Sequence, residues 1–319
     1  VTEAFAEPDN EGVLSAVVIN PSKVDDLEER RAQICSALGE AGWPTPLWLE
    51  TTPDDPGCGQ TREAVEKGAR VVFACGGDGT VMACVSELAG TDVALAVLPA
   101  GTGNLLATNL GLPDDAAAGV RLATEGARRR IDVGAVEDKQ FAVMAGMGFD
   151  AKMLDSASEA LKKKVGWPAY VLSALRHLRD RPMRLRIRFD GGTPMRRRAV
   201  SVIVGNVGKL QGGVALFPEA RPDDGKLDVA LISARTLRDW AAMAWGVVRR
   251  RPHVPALEMF RAERIELVSA KPQARELDGD VVEPSRSMTI EVRKQALVLC
   301  VPHANDDPAV TSAAEVPAG

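Results

Sequence analysis

Apolar residues in the first part of the chain come in short unbroken runs. Each run is followed by turn-forming residues, then by a stretch whose apolar positions recur at helical spacing. Residues 14–19 lead through Asn20-Pro21-Ser22-Lys23 into 24–38. Residues 71–75 lead through Gly76-Gly77-Asp78-Gly79-Thr80 into 81–88. Residues 93–98 lead through Pro99-Ala100-Gly101-Thr102-Gly103-Asn104 into 105–110. Continuous apolar strands alternating with amphipathic helices predict a parallel sheet covered on both faces. Beyond Arg130-Ile131-Asp132-Val133-Gly134 the pattern changes. Met183–Phe189 alternates strictly, with Arg184, Arg186 and Arg188 on one face and Leu185, Ile187 and Phe189 on the other. Asp190-Gly191-Gly192 signals a hairpin, with 199–205 as the returning strand. Further strands are expected at 141–145, 227–232, 265–269, 288–292 and 296–301, with helices at about 154–178 and 237–250. The pattern predicts an α/β N-terminal domain over 1–134 and a mainly antiparallel β-sandwich domain over 135–303. The apolar-poor stretch 304–319 is expected to be a disordered tail.

Composition narrows the classes. Of 319 residues, 39 are Lys or Arg and 44 are Asp or Glu, a net charge of -5. That balance argues against nucleic acid as a partner. The three histidines (His177, His253, His303) leave little room for a histidine-rich metal centre. Five cysteines without a CxxC spacing read as reduced thiols. Glu3, Glu7, Asp9 and Glu11 are the opposite of a basic signal-peptide start. No apolar run approaches the ~20 residues of a membrane span. A soluble cytoplasmic protein is the expectation.

The three loops of the first domain fall at the carboxyl edge of its sheet, where open α/β sheets hold ligands. Their glycines permit close backbone approach, and the helices they open favour an anion. The loops at 76–80 and 101–104 can therefore cradle phosphates with backbone amides and the hydroxyls of Thr80 and Thr102. GxxxxGK[ST] and GxGxxG are both absent. In the second half, Arg221-Pro222-Asp223-Asp224-Gly225-Lys226 sets a carboxylate among free carbonyls, oxygen chemistry suited to Mg²⁺. The same run also reads as a plain Asp-Gly turn. Leu277-Asp278-Gly279-Asp280 reads locally as a hairpin turn.

Taken in order, these segments resemble the soluble lipid kinase family of bacterial diacylglycerol kinases and sphingosine kinases. The matching pieces are Val18-Ile19-Asn20-Pro21, Gly76 to Thr80, Leu98 to Asn104, Ile131 to Gly134, Gly146 to Asp150, Gly212-Gly213 with Pro218, Asp224 to Asp228, and Leu277 to Asp280. The resemblance implies a fold like that of NAD kinases and diacylglycerol kinases, with a nucleotide-binding first domain and a lipid-substrate second domain. It implies that Asn20, Thr51, Gly76, Gly77, Asp78, Gly79, Thr80, Gly101, Thr102 and Asn104 line an ATP site. Asp78 and Asp132 would hold the catalytic Mg²⁺. Asp224, with the carbonyls of Arg221 and Lys226, would hold a second, structural Mg²⁺. Asp280 stands where the family usually carries a glutamate as general base. It is one methylene shorter, about an ångström less reach.

The implied reaction is transfer of the γ-phosphoryl group of ATP to a lipid hydroxyl, diacylglycerol first, a sphingoid base or other long-chain alcohol next. An NAD kinase and a non-catalytic nucleotide- or lipid-binding module are the alternatives. Residues 176–198 hold nine arginines against two aspartates. Trp240 and Trp245 precede Arg249-Arg250-Arg251 on a helical stretch. Basic residues beside aromatics suit peripheral contact with an anionic membrane surface. A solvated strand face and core tryptophans account for them equally well. A homodimer is left open.

Overall fold

The computed structural model describes residues 15–101, 103–148, 182–209, 215–234, 236–249 and 254–303. Expectations for Thr102, for 1–14, for the helix at 154–178, for Gly212-Gly213 and for the tail lie outside the described residues. The chain forms two compact units: one runs to Ile131 and resumes at Gln295, the other is Asp132–Lys294.

The first unit is built on β1 (Ser15–Ile19), β2 (Leu47–Glu50), β3 (Val71–Gly76) and β4 (Ala94–Pro99). Side by side they run β2-β1-β3-β4, all parallel. The last residues of the chain's final strand then add to β4, with Val298 opposite Ala94 and Leu299 opposite Leu95. The second domain is expected to run to 303; the compact units divide at Gln295, from where the final apolar run completes the sheet of the first unit. On one face Val17, Ile19, Phe73 and Leu98 pack with Ile34, Ala37 and Leu38 of α1 (Leu27–Glu40) and with Val120 and Ala123 of α5 (Ala116–Glu125). The opposite face is covered by α2 (Cys58–Glu66) and α3 (Asp78–Leu88). Asp26 caps α1 by accepting from the Glu29 N–H at 2.9 Å. The third loop opens only a short helix, α4 (Leu105–Asn109). The weakly apolar β2, α2 and α5 have no counterpart in the three apolar repeats.

The second unit holds β5 (Ala127–Val136, entering from the first unit), β6 (Lys139–Phe141), β7 (Met144–Met147), β8 (Met183–Phe189), β9 (Met195–Ala199), β10 (Ser201–Gly205) and β11 (Leu227–Ile232). After α6 (Leu237–Val248) come β12 (Leu257–Ala262), β13 (Arg264–Leu277) and β14 (Asp280–Val301). The order β12-β11-β10-β7-β13 is antiparallel throughout, and β8-β9 adds to β13. Between the layers lie Leu185, Ile187, Val202, Val229, Leu267 and Ile290. The hairpin at Asp190 forms, but its return is β9, not the stretch 199–205. Residues 201–205 are buried on both faces and pair with β7 and β11. The arginines of β9 hid its alternation, while the continuous apolar run of β10 drew the assignment.

Candidate functional site

At the carboxyl edge of β1, β3 and β4 the expected residues do come together. Asn20 follows β1 and caps a 3₁₀ turn, Pro21–Lys23, accepting from the Ser22 N–H at 3.0 Å and its hydroxyl at 2.8 Å. Its amide donates to Thr80 Oγ1 at 3.4 Å, linking the loop after β1 to α3. Thr51, buried just after β2, donates its N–H to the Ile19 carbonyl at 2.9 Å and so lies beside Asn20.

The two glycine loops touch backbone to backbone. A Cβ on Gly101 would lie 2.8 Å from Gly77 Cα, and one on Gly76 would lie 2.7 Å from Thr80 Cβ. Only glycine allows this approach. Asp78 opens α3, and its carboxylate accepts the Leu105 N–H at 2.7 Å, tying the first glycine loop to the start of α4. Asn104 adopts a left-handed conformation (φ 43°), which asparagine tolerates, and donates to the Gly101 carbonyl at 2.7 Å. A Cβ on Gly79 would meet nothing within 4 Å, so there is open space beside the first turn of α3. The first N–H groups of a helix lack intrahelical partners and carry partial positive charge. The cradle suits a phosphate in both room and charge.

In the second unit Asp132 is tied to the 221–226 loop through that loop's backbone. Asp132 on β5 is fully buried. Its N–H donates to the Pro222 carbonyl at 2.5 Å, and its carboxylate accepts the Gly225 N–H at 2.6 Å. Asn206 donates to the Asp132 carbonyl at 2.8 Å and to the Ala142 carbonyl at 3.0 Å. Asp132 and the Arg221–Lys226 loop are therefore one braced assembly. Asp280 opens β14 opposite Leu277, in an exposed position beside the Asp278-Gly279 turn, and its carboxylate has no partner among the described residues.

The carboxylates expected to hold cations differ in their partners, each within its own unit. Asp78 and Asp132 offer carboxylate oxygens, the donors a hard cation takes. Asp224 does not fit as it stands. Its carboxylate meets the Arg261 guanidinium, whose Nε also lies 3.3 Å from Asp228. The other Asp224 oxygen accepts the Lys226 N–H at 3.0 Å, so both carboxylate oxygens are already engaged within the chain. Burial pushes the Asp228 carboxyl up to about 6, with Arg261 opposing. Among the described residues no group of three or more His, Cys, Asp or Glu could hold a metal ion.

Three contributors were missed. Asp278 accepts the N–H groups of Ala142 (2.8 Å), Val143 (3.0 Å) and Met144 (2.6 Å), and so separates β6 from β7. Asn206 could have been suspected as a lone amide closing an apolar strand. Glu276, buried on β13, has one carboxylate oxygen without a partner among the described residues.

Comparison with known proteins agrees with this layout. The model of the diacylglycerol kinase catalytic domain family matches residues 15–136, and that of the YegS C-terminal NAD kinase beta sandwich-like domain matches 142–301. A Pseudomonas aeruginosa protein named "Probable lipid kinase YegS-like" is 34% identical over 289 residues, 86% of this chain and 90% of its own length. A Mycobacterium tuberculosis protein named "Diacylglycerol kinase" is 34% identical over 179 residues, 53% of this chain and 56% of its own. A Chromohalobacter salexigens protein, also named "Probable lipid kinase YegS-like", is 37% identical over 179 residues, again 56% of its length. Among solved structures, a diacylglycerol kinase from Bacillus anthracis superposes with TM-score 0.69 at 21% identity, covering 93% of this chain and 98% of that one. An NAD kinase from Archaeoglobus fulgidus in complex with ATP superposes with TM-score 0.51 at 16% identity, covering 90% and 93%. These two likenesses show a common fold: an α/β unit with parallel strands and an antiparallel β-sandwich unit.

Proposed function

The chain belongs to the diacylglycerol kinase catalytic-domain family of lipid kinases, which are phosphotransferases, and on that premise we propose that it transfers the γ-phosphoryl group of ATP to the hydroxyl of a membrane lipid, diacylglycerol in the first instance. The observation that carries the reading is the double glycine cradle at the start of α3, with Gly77 against Gly101 and Asp78 fastened to Leu105. The ATP in the Archaeoglobus relative of this fold supports the choice of nucleotide. Asn20, Thr51, Gly76 to Thr80, Gly101 and Asn104 would hold the nucleotide. Thr102 joins them by its place in the second loop.

Phosphoryl transfer depends mainly on positioning and charge stabilisation. The glycine-loop amides supply donors without reorganisation, because their loops are already cross-braced. Asp78 and Asp132 would hold a Mg²⁺, which when bound supplies neutralisation of phosphate charge. Asp280 accepts the proton of the acceptor hydroxyl as it attacks. Its carboxylate, exposed at a tight turn and without a partner among the described residues, is placed to do so. No step passes through a cation at Asp224.

The test is incubation with γ-labelled ATP, NAD and mixed micelles carrying diacylglycerol. Label is expected in a chloroform-soluble product. Label in NADP instead supports an NAD kinase, and label in neither supports a binding module. Asp280→Ala should lower kcat by about 10²- to 10⁴-fold while ATP affinity stays within a few-fold. Near-normal turnover in that variant would remove Asp280 from the mechanism.

A further inference from the structure

We propose that the outer face of the β8–β9 hairpin is a docking surface for an anionic lipid bilayer. Arg184 and Arg186 alternate on β8 with Leu185 and Ile187, which point into the sandwich core. The register places Arg198 opposite Arg184, and Arg196 opposite Arg186. All four arginines are exposed, and among the described residues none has an acidic partner. Their neighbours Arg188 and Arg197 do, with Glu266 at 3.4 Å and Glu258 at 2.9 Å. Like charges directly opposite on adjacent strands repel and destabilise a sheet. Two such pairs in register are a local cost that an anionic partner would relieve.

The geometry points to an extended partner. Successive outward residues on a strand are about 7 Å apart and neighbouring strands about 5 Å apart. The four arginines are thus rooted across a sheet face and present a broad basic patch. They line a shallow groove of about 630 Å³, continued on β13 by Val268, which lies opposite Arg186 and is 47% exposed. Basic groups flanking an apolar contact suit a headgroup surface. The chain as a whole carries -5, so the attraction belongs to this face and not to net charge.

The tryptophans of α6 do not share the surface. Trp240 and Met243 pack with Ile203 and Ala230, while Val202 and Val229, on the other side of the same strands, join Leu185 in the core. The helix and the arginine face therefore flank the sandwich on opposite sides. Trp245, 52% exposed, lies under Arg249 at 4.4 Å on the helix side.

The choice of a bilayer over other polyanions rests on the lipid-kinase reading. Its test needs no nucleotide. The full chain is floated with vesicles of phosphatidylcholine alone and of phosphatidylcholine with phosphatidylglycerol, across a salt series. Binding to the anionic vesicles only, fading as salt rises, is expected. Arg184→Gln/Arg198→Gln should weaken that binding about thirty-fold, without lowering the melting temperature, since it removes a like-charge pair. The proposal is overturned if this variant binds as tightly as the parent, or if neutral vesicles bind equally. It is also overturned if duplex DNA or free pyrophosphate binds the arginines as tightly, or if the variant only dissociates a dimer. Arginine-dependent docking without turnover in micelles would sink the kinase reading and leave the docking surface standing.

Discussion

Glu276 shows how much a single residue's surroundings can alter its chemistry. It is 2% exposed, on the face of β13 opposite Gly146, where a Cβ would lie 2.9 Å from its own Cγ and Oε1. Burial pushes its carboxyl up to about 7 from 4.5. A folded-state value above the unfolded one means that the stabilisation belongs to the protonated form. It is complete below about pH 4.5 and is lost as pH rises through about 7. Glu276→Gln keeps the shape and cannot ionise. The variant should match the parent near pH 4 and exceed it at pH 8, by on the order of 3 kcal/mol at most. Urea midpoints at the two pH values check this, and parallel pH profiles would refute it. No pattern in the sequence marks this residue, since a carboxylate beside Arg275 and near a turn reads as solvated. Asp78 and Gly77 were legible for the opposite reason. Their positions come from a local loop-to-helix geometry that the Gly-Gly-Asp-Gly run itself encodes, whereas burial of Glu276 depends on strands far away in sequence.

At the level of elements, one carboxylate organises several strands. Asp278 sits in the turn joining β13 to β14, at φ 48°, followed by Gly279 at φ 94°, the left-handed pair that an Asp-Gly hairpin turn requires. From there its carboxylate gathers three consecutive N–H groups between β6 and β7. The turn was readable from sequence, and so was a strand near 141–145. The split of that strand into β6 and β7 was not, because its cause lies more than 130 residues away. Asp278→Ala leaves two buried donors and one half-buried donor unpaired and should cost about 3 kcal/mol. Asp278→Asn, which keeps one acceptor oxygen, should recover part of it. Denaturant midpoints of both variants measure the difference. A loss below about 1 kcal/mol for the alanine variant would mean that the turn alone holds β7. Because Asp280 follows directly, the alanine variant should also lower turnover in the micelle assay. An element-level defect of this kind would appear as altered kcat with an altered melting curve, unlike Asp280→Ala.

The whole molecule depends on its order of assembly along the chain. The second unit is one continuous segment, Asp132–Lys294, whereas the first is closed by residues that follow it. Leu297, Val298, Leu299 and Cys300 are 0 to 3% exposed, and Ala296 accepts the Gly90 N–H at 2.6 Å. Without them β4 would become a bare edge, and the core containing Phe73 and Leu98 would lose Val298 and Cys300. An unprotected apolar edge strand invites aggregation. Sequence alone located the apolar run at 296–301, but its period does not say which sheet takes it. That is decided by pairing with β4, some 200 residues earlier. A fragment ending at Ile131 should therefore fail to fold cooperatively or should aggregate. The segment 132–294 should give a melting transition of its own. Joining residues 295–303 to the end of the first fragment through a flexible glycine-serine linker should restore a cooperative transition and nucleotide-dependent stabilisation. Circular dichroism melts of the three pieces decide the matter. A cooperative melt from the unaided first fragment would show that the final strand is an accessory to the nucleotide-binding unit and not part of its core.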